Sequence, residues 1–468
     1  MDQDRQSAAS FGSAVDLLKS DLRGNLVRAG DPDYEDTRRV YNAMIDRRPE
    51  IIVRCAGVGD VIDAVKFGRR HDLPIAIRGG GHNVTGNALA DRGLTIDLSP
   101  MKGLRIDPRL RIVRAEAGLT WLEVNHDLQH FGLAAAGGFV GTTGVAGLTL
   151  GGGLGWLVRK HGLACDNLVS VDVVTADGRF LQASTEDNPD LFWAVRGGGG
   201  NFGIVTSFEF EVHPAGTVLA GLVVHRASRA REALKFWRDF ETTAPRELTA
   251  GALLFTAPPA PFLPEDVQGE LVVGIGGVFT GDLEVGEKVL RPLRDWGPPV
   301  ADIIEPMPYS AAQTMADVFW PHNFQNYWKS DFLNGLSDDA IGTIVEQFSS
   351  VPSSMTTVVI EHNGDGAMND VGRDETAFWH RDSTYNLLVT SMWEDRRNAE
   401  ENVSWTKDFV GATARFASGG VYVNYLGEEG SGRIRSAFGS NFDRLSAVKQ
   451  KYDPENVFRL NQNIEPND

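Results

Sequence analysis

The 468-residue sequence holds only two cysteines, Cys55 and Cys165. So sparse a pair makes neither a disulfide framework nor a zinc site, and the expected setting is a reducing, cytoplasmic one. Long apolar runs are also missing. No window approaches the roughly 18–20 apolar residues of a membrane span. The start, MDQDRQSAASFGSAVDLLKS, is acidic and lacks the apolar stretch of a secretory signal. Positive charge is short as well: the net charge is −18, and only ten of the 45 basic residues are lysine. Neither nucleic acid nor an anionic membrane surface is therefore an expected partner. Repeats and low-complexity tracts are absent. Glycine, by contrast, is abundant, with 52 residues in the chain and dense clusters at 79–81, 137–155 and 197–203.

The length calls for more than one core. Up to about residue 215, short β-like runs alternate with helical ones. EIIVRC reads as a strand, VGDVIDAVKFGRRHD as an amphipathic helix, and PIAIRG as a second strand ending at a glycine loop. GLTIDLS, LRIVRAEAG and LVSVDVVTADG read as further strands, and TWLEVNHDLQHFG as a helix stopped by Gly132. After HPAG the texture changes. GELVVGIGGVF, MTTVVIEHNG and YNLLVTSMW are strand candidates separated by helical stretches such as DLEVGEKVLRPLRDWG. That proportion predicts a separate α+β unit built on an antiparallel sheet.

GGGNFG at 198–203 has the Gly-x-Gly-x-x-Gly spacing of a dinucleotide fingerprint. The fingerprint needs a strand before it and a helix after it. Here helix-like LFWAVR precedes and strand-like IVTSFEFEVH follows, so a nicotinamide site is not expected. Successive N–H groups unshielded by side chains form an anion-binding nest instead. RGGGH, GGGLG and RGGGGNFG supply three such segments, enough to surround the pyrophosphate of one long dinucleotide.

At this point IRGGGHNVTG, GTTGVAGLTLGGGLGWLVRKHGLACDNLVSVDVVTADG, LFWAVRGGGGNFGIVTSFEFEVHP and YDPENVFRLNQNI carry a resemblance. In this order they resemble the FAD-linked oxidases of the vanillyl-alcohol oxidase / p-cresol methylhydroxylase superfamily, within its berberine-bridge-enzyme-like branch. The resemblance implies an α+β, two-domain PCMH-type FAD-binding fold with an antiparallel-sheet-plus-helices substrate domain. Residues 1–215 would bind FAD, 216–420 would form the substrate domain, and 421–468 would return to the FAD domain. His82 would be joined covalently to the 8α-methyl of FAD. Arg78, Gly79, Gly80, Gly81, Asn83 and Gly86 would form the loop around it. Gly141, Thr142, Thr143, Gly144, Gly147, Gly151, Gly152, Gly155, Asn201, Gly203, Ile204, Val205, Asn461 and Asn463 would complete the cofactor site. Many relatives carry a second link through a cysteine, but Val140 stands at that position here. A single link is therefore expected, with Cys165 the remaining candidate, whose other reading is a small buried residue.

The implied reaction is a two-electron oxidation of an alcohol or related C–H bond of a small molecule (a carbohydrate, an aromatic alcohol or a secondary metabolite). Hydride would pass to flavin N5, and O2 would be reduced to H2O2. A dehydrogenase, an oxidative-cyclisation enzyme and a non-catalytic flavin carrier are the alternatives. Thr143 falls where relatives control oxygen access, and its modest size favours an oxidase. Alcohol oxidation also needs a base for the O–H proton. Tyr425 is the resemblance's candidate, on a segment, GGVYVNYLG, read as a strand. On a strand Tyr422 and Tyr425 would face opposite ways, and Tyr425 would need a lowered pKa. Glu361 is a second candidate, sharing a strand face with Thr357 and Val359 while His362 points away.

Weaker signals have ordinary readings. His126 and His130, spaced i,i+4, lack a third ligand, so no metal is expected. The sequon at Asn83 lies inside the glycine loop. Arg159, Lys160 and His161 form a basic cluster with FAD phosphates as the minor alternative. Trp320, His322, Phe324, Tyr327 and Trp328 make either a core or a pocket wall for a flat substrate.

Overall fold

The structure is a computed structural model and describes residues 2–427 and 429–467. Three sheets organise it. The first has four strands, Asn25–Arg28, Ile51–Arg54, Leu94–Asp97 and Ile75–Arg78 in spatial order, with the last three parallel. The helix Val58–Arg70 joins two of these strands and turns Val61, Ala64, Val65 and Gly68 inward, the i, i+3, i+4, i+7 stripe that an amphipathic helix buries. The second sheet is antiparallel and has five strands, among them Ile112–Glu116, Leu168–Val174 and Ile204–Glu211. The third is an antiparallel sheet of eight strands drawn from residues 217–393.

Period-2 alternation gives the third sheet two different faces. One face packs Ala252, Leu254, Ile275, Val358, Ile360, Leu387 and Val389 against helices that include Ala230–Glu241, Asp338–Phe348 and Ala399–Thr413. Intervening residues such as Gly251, Leu253, Val359, Glu361 and Leu388 face the other way and line a cavity. The antiparallel sheet with helices on one face is the architecture expected for this half of the chain.

The C-terminal segment goes back to the first two sheets. Val421, Leu445, Phe458 and Ile464 belong to the same core as the strands of residues 51–210. Lys449 Nζ donates to the Asn201 carbonyl at 2.8 Å and to the Phe458 carbonyl at 3.0 Å, and the Ile464 N–H donates to Asn201 Oδ1 at 3.0 Å. Two struts join the N-terminal part to the third sheet. Asn42 Nδ2 donates to the carbonyls of Val84 and Asn326 at 2.7 and 2.9 Å. Buried Arg159 donates to the carbonyls of Leu248 and Gly364 at 2.7 and 3.1 Å. The basic cluster at 159–161 therefore spends its arginine on main chain, not on a phosphate.

GGVYVNYLG is not a strand. Its Tyr425 N–H bonds back to the Tyr422 carbonyl at 3.0 Å, and Val423–Tyr425 is a single 3-10 turn. The turn brings the Tyr422 and Tyr425 rings into edge-to-face contact, 4.8 Å between centroids, where a strand would have separated them. Among the described residues no helix is long and apolar enough to cross a membrane.

Candidate active site

One cavity of about 800 Å³ lies between the third sheet and the glycine loops. On the N-terminal side its wall is largely bare backbone: Gly79, Gly80, Gly81, Gly144, Gly147, Gly199, Gly200 and Gly203. Two of these loops touch through their main chains, since a Cβ on Gly80 would lie 2.5 Å from the Gly144 nitrogen. The N–H groups of Gly79, Gly80 and Gly81 make no backbone hydrogen bond. Unpaired N–H groups beside a cavity are what an anion such as a pyrophosphate requires. His82, Asn83, Thr143, Asn201, Ile204, Val205 and Asn461 line the same cavity.

His82 is packed among its neighbours' rings. Tyr41 stacks on it at 4.0 Å and 15°, and His322 meets it edge-on at 5.8 Å. Burial pushes the His82 pKa down to about 3, with His322 adding to the effect, so the ring is neutral. Its Nε2 is buried without a partner, as is Asn461 Oδ1. A buried polar atom left unpaired costs about 1–3 kcal/mol, and both atoms belong to residues lining this cavity. Unpaired N–H groups, orphaned polar atoms and cavity volume together fit a dinucleotide of FAD's kind.

Other expected cofactor residues support this wall from behind. Arg78 donates to Asp97 through Nε at 2.9 Å and through a second guanidinium nitrogen, and to the Thr37 carbonyl. Burial would raise the Asp97 pKa, but these bonds outweigh it and hold the carboxyl below its usual range. Arg78 therefore anchors the loop through its own carboxylate. Gly86 packs on Ile45, and Gly141 donates its N–H to Asp317 Oδ1 at 2.6 Å. Gly151 and Gly152 press against Asn424 and Phe378, and a Cβ on Gly155 would lie 1.6 Å from the Gly137 carbonyl oxygen. These glycines serve chain-to-chain packing and do not line the cavity. Thr142 Oγ1 and Asn463 Oδ1 are buried and unpartnered, also outside the lining. Cys165 sits in the core, its thiol pKa raised by burial and by Asp166.

The third sheet supplies the acid. Glu361, on the strand Thr357–His362, is 6% exposed and lines the cavity with Thr357 and Val359; His362, expected to point away, contacts Glu241 through Nδ1 at 2.9 Å but also borders the cavity. Tyr425 donates its hydroxyl to Glu361 Oε1 at 2.8 Å, and Asn386 Nδ2 donates to Oε2 at 2.8 Å. Strand register places Asn386 directly opposite Glu361. Burial raises the carboxyl to about 7, and the bonds from Tyr425 and Asn386 pull against that rise.

Tyr425 moves the other way from what a base needs. Burial and the neighbouring Glu361 charge raise its pKa well above the ordinary phenol value, so it is a hydrogen-bond donor here. Tyr422 does not line the cavity. Its oxygen accepts from the N–H groups of Gly153 and Leu154 at 2.9 and 3.2 Å and from Asn424 Nδ2 at 2.7 Å. It braces the glycine loop and is too committed for catalysis.

Of the aromatic segment, Trp320 and Trp328 line the cavity, and His322 packs at His82; Phe324 and Tyr327 do not line it. His126 and His130 touch edge to face, and no group of three or more potential metal ligands occurs among the described residues. Sequence reasoning missed Tyr41 and Asn386. For Asn386 a signal existed: it is a polar residue at the start of the otherwise apolar YNLLV run, on the face Leu388 shares.

The chain is similar to known proteins. Residues 49–184 match the family described as FAD binding domain, and residues 421–465 the one described as berberine and berberine like. The chain is 33% identical over 457 residues to the uncharacterized FAD-linked oxidoreductase YgaK of Bacillus subtilis, covering 96% of this chain and 98% of that one. Among solved structures, 6-hydroxy-D-nicotine oxidase of Arthrobacter nicotinovorans superposes with a TM-score of 0.87 at 27% identity, covering 95% of this chain and 98% of that one. BBE-like 1 of Physcomitrella patens gives 0.86 at 25% identity, covering 96% and 98%.

Proposed function

The chain belongs to the FAD-linked oxidoreductases with a berberine-like C-terminal segment, and from that membership we propose an oxidase that takes its substrate's proton on Glu361, holds FAD covalently through His82 alone, and passes electrons to O2 with release of H2O2. FAD, when bound, supplies the two-electron acceptor for the substrate's C–H bond. The chain's own residues orient the substrate and move its proton. A substrate hydroxyl or amine presented at Glu361 gives its proton to a carboxylate oxygen. Tyr425 and Asn386 hold that carboxylate from either side, so its free lone pairs point into the cavity in one geometry. A carboxyl with a pKa about 7 is ionised often enough to accept a proton near neutrality and basic enough to keep it. The carrying observation is this buried Glu361–Tyr425 pair facing a wall of unshielded backbone.

Support for attachment at His82 comes from its neutral ring and unpartnered Nε2. Support for the single link comes from Cys165, which is buried in the core and whose raised pKa keeps it a thiol. Support for O2 comes from Thr143, which lines the cavity with a small side chain.

The test begins with acid precipitation of the purified protein. Yellow colour should stay with the pellet, peptide mapping should find flavin on the His82 peptide, and His82→Ala should release it. Oxygen uptake matched by peroxide should accompany turnover. Dye reduction without oxygen uptake would instead make the protein a dehydrogenase.

A further inference from the structure

Beyond Glu361 the cavity continues across the third sheet, and the polar groups of that extension are already spent. Trp156 Nε1 donates to the Phe139 carbonyl, Trp320 Nε1 to Thr390 Oγ1 and Trp328 Nε1 to Asn326 Oδ1, each at 3.1 Å. The Thr357 hydroxyl is bonded to that of Thr390 at 2.6 Å. Among the described residues no lysine, arginine or aspartate lines the cavity, Glu361 is its one acid, and His82 and His362 are its histidines. Three indoles that could have gripped a ligand's oxygens therefore offer it only their faces. On the sheet side the hydroxyls of Thr249, Thr256 and Ser354 are what is left.

Register adds a shape to this chemistry. Glu361 pairs with Gly251, and Gly251 with Gly276, so the row beside the acid carries no side chains for two strands. The next row, Val359 and Leu253, stands up as an apolar edge. The result is a shallow furrow that starts at the carboxylate. Its outlet is apolar too: Phe262, in a loop at 258–264 that holds four prolines, and Val318, in the turn Asp317–Phe319, both line the cavity and are 49% and 77% exposed.

We propose that the substrate is a flat, apolar, non-anionic molecule with a single hydroxyl or amine, lying over Gly251 and Gly276 with that group at Glu361, and that sugars are excluded. The proposal rests on the oxidoreductase reading and on Glu361 as proton acceptor. A polyol in this furrow buries hydroxyls with no partners, and each one left unpaired weakens binding by roughly 5- to 150-fold. An anion meets the buried Glu361 charge with no lysine or arginine of the lining to offset it, inside a protein of net charge −18.

Calorimetric titration of the flavin-loaded protein tests this with 2-naphthol, 2-naphthoate and cellobiose, none of which needs to be turned over. At pH 8, 2-naphthol should bind saturably, 2-naphthoate at least about 20-fold more weakly, and cellobiose should release no binding heat. Gly251→Val, which adds side-chain atoms over the furrow and presses on the Ile360 carbonyl oxygen, 2.9 Å from its Cβ, should weaken 2-naphthol by about tenfold or more. Phe262→Ser, at an exposed lip, should weaken it by only about threefold or less, which separates the furrow from the mouth. Cellobiose binding in preference to 2-naphthol, or naphthoate binding equal to it, overturns the proposal in the wild-type protein, whatever the folding of either variant. Flavin content read on the same sample is the separate check: protein that takes up no FAD overturns the oxidoreductase reading itself, and this proposal with it.

Discussion

The two walls of the cavity are made of different material. The N-terminal wall is main chain: glycine loops from residues 79–81, 144–147 and 199–203, the first two of which meet at Gly80 and Gly144 too closely for side chains. The facing wall is a sheet that presents a side chain at every second residue, from Leu253 to Val359 and Leu388. A backbone wall can bind only what its N–H groups fit, and at Gly80 or Gly144 an added Cβ collides with the other loop's backbone. A sheet wall can be altered one residue at a time, because each side chain stands in its own register position. The first suits a ligand that never varies; the second suits one that varies between relatives. Cofactor and substrate are thus recognised by two different kinds of surface.

The largest effect expected from this contrast is at Gly80. Gly80→Val puts side-chain atoms on the Gly144 main chain, and flavin content per protein should fall by about tenfold or more while circular dichroism still reports the sheets. Leu253→Val, on the other wall, should leave flavin content unchanged. Full flavin retention in Gly80→Val would erase the distinction between the walls.

Next comes the acid. Glu361→Gln should lower kcat by about 10²- to 10⁴-fold with flavin retained. In the wild type, kcat/KM should rise with pH through about 7 as Glu361 ionises. A flat profile across that range would remove Glu361 from the proton transfer.

The same carboxyl carries a stability cost. Its folded pKa is about 7 against an ordinary 4.5, so folding binds a proton that the unfolded chain has released. Below pH 4.5 the carboxyl is protonated in both states and nothing is lost. Between 4.5 and 7 the native state loses stability, by roughly 3 kcal/mol once above 7. Glu361→Gln should therefore gain on the wild type in denaturant unfolding at pH 8 relative to pH 4.5. An equal difference at both pH values would mean that the carboxyl is solvated.

Tyr425→Phe should be milder, about tenfold in kcat. The Tyr425 bond lowers the Glu361 pKa, so its loss should move the rising limb of the pH profile upward; movement downward would reverse the roles assigned to the pair. Smallest is Cys165→Ala, expected to cost about 1 kcal/mol of stability and no covalent flavin. Flavin lost from the pellet in that variant would restore the second link.

Much of the fold was legible because periodicity and glycine are local signals. The helix Val58–Arg70, the strand Leu271–Phe279 and the break in texture near residue 215 follow from spacing alone. The helix before GGGNFG and the strand after it, which ruled out a nicotinamide site, stand as Pro189–Val195 and Ile204–Glu211. The site was legible in part. His82 and Glu361, singled out by the glycine loop and by a strand face, both line the cavity. Tyr422 and Tyr425 were assigned to a strand because VYVNY alternates like one, yet their backbone closes a turn. Gly80 and Gly155 looked alike in sequence; one faces the cavity and the other meets Gly137.

By itself, then, the sequence determined where bare backbone, strand faces and a lone histidine would occur, since each depends on residues a few positions apart. Only the tertiary structure decided which glycines meet a ligand, that Asn386 and Tyr425 grip Glu361, and that the acid rather than the phenol is poised near neutrality. A pKa and a hydrogen-bond partner are set by whatever lies within a few ångströms, and here those neighbours arrive from 25 and 64 residues away.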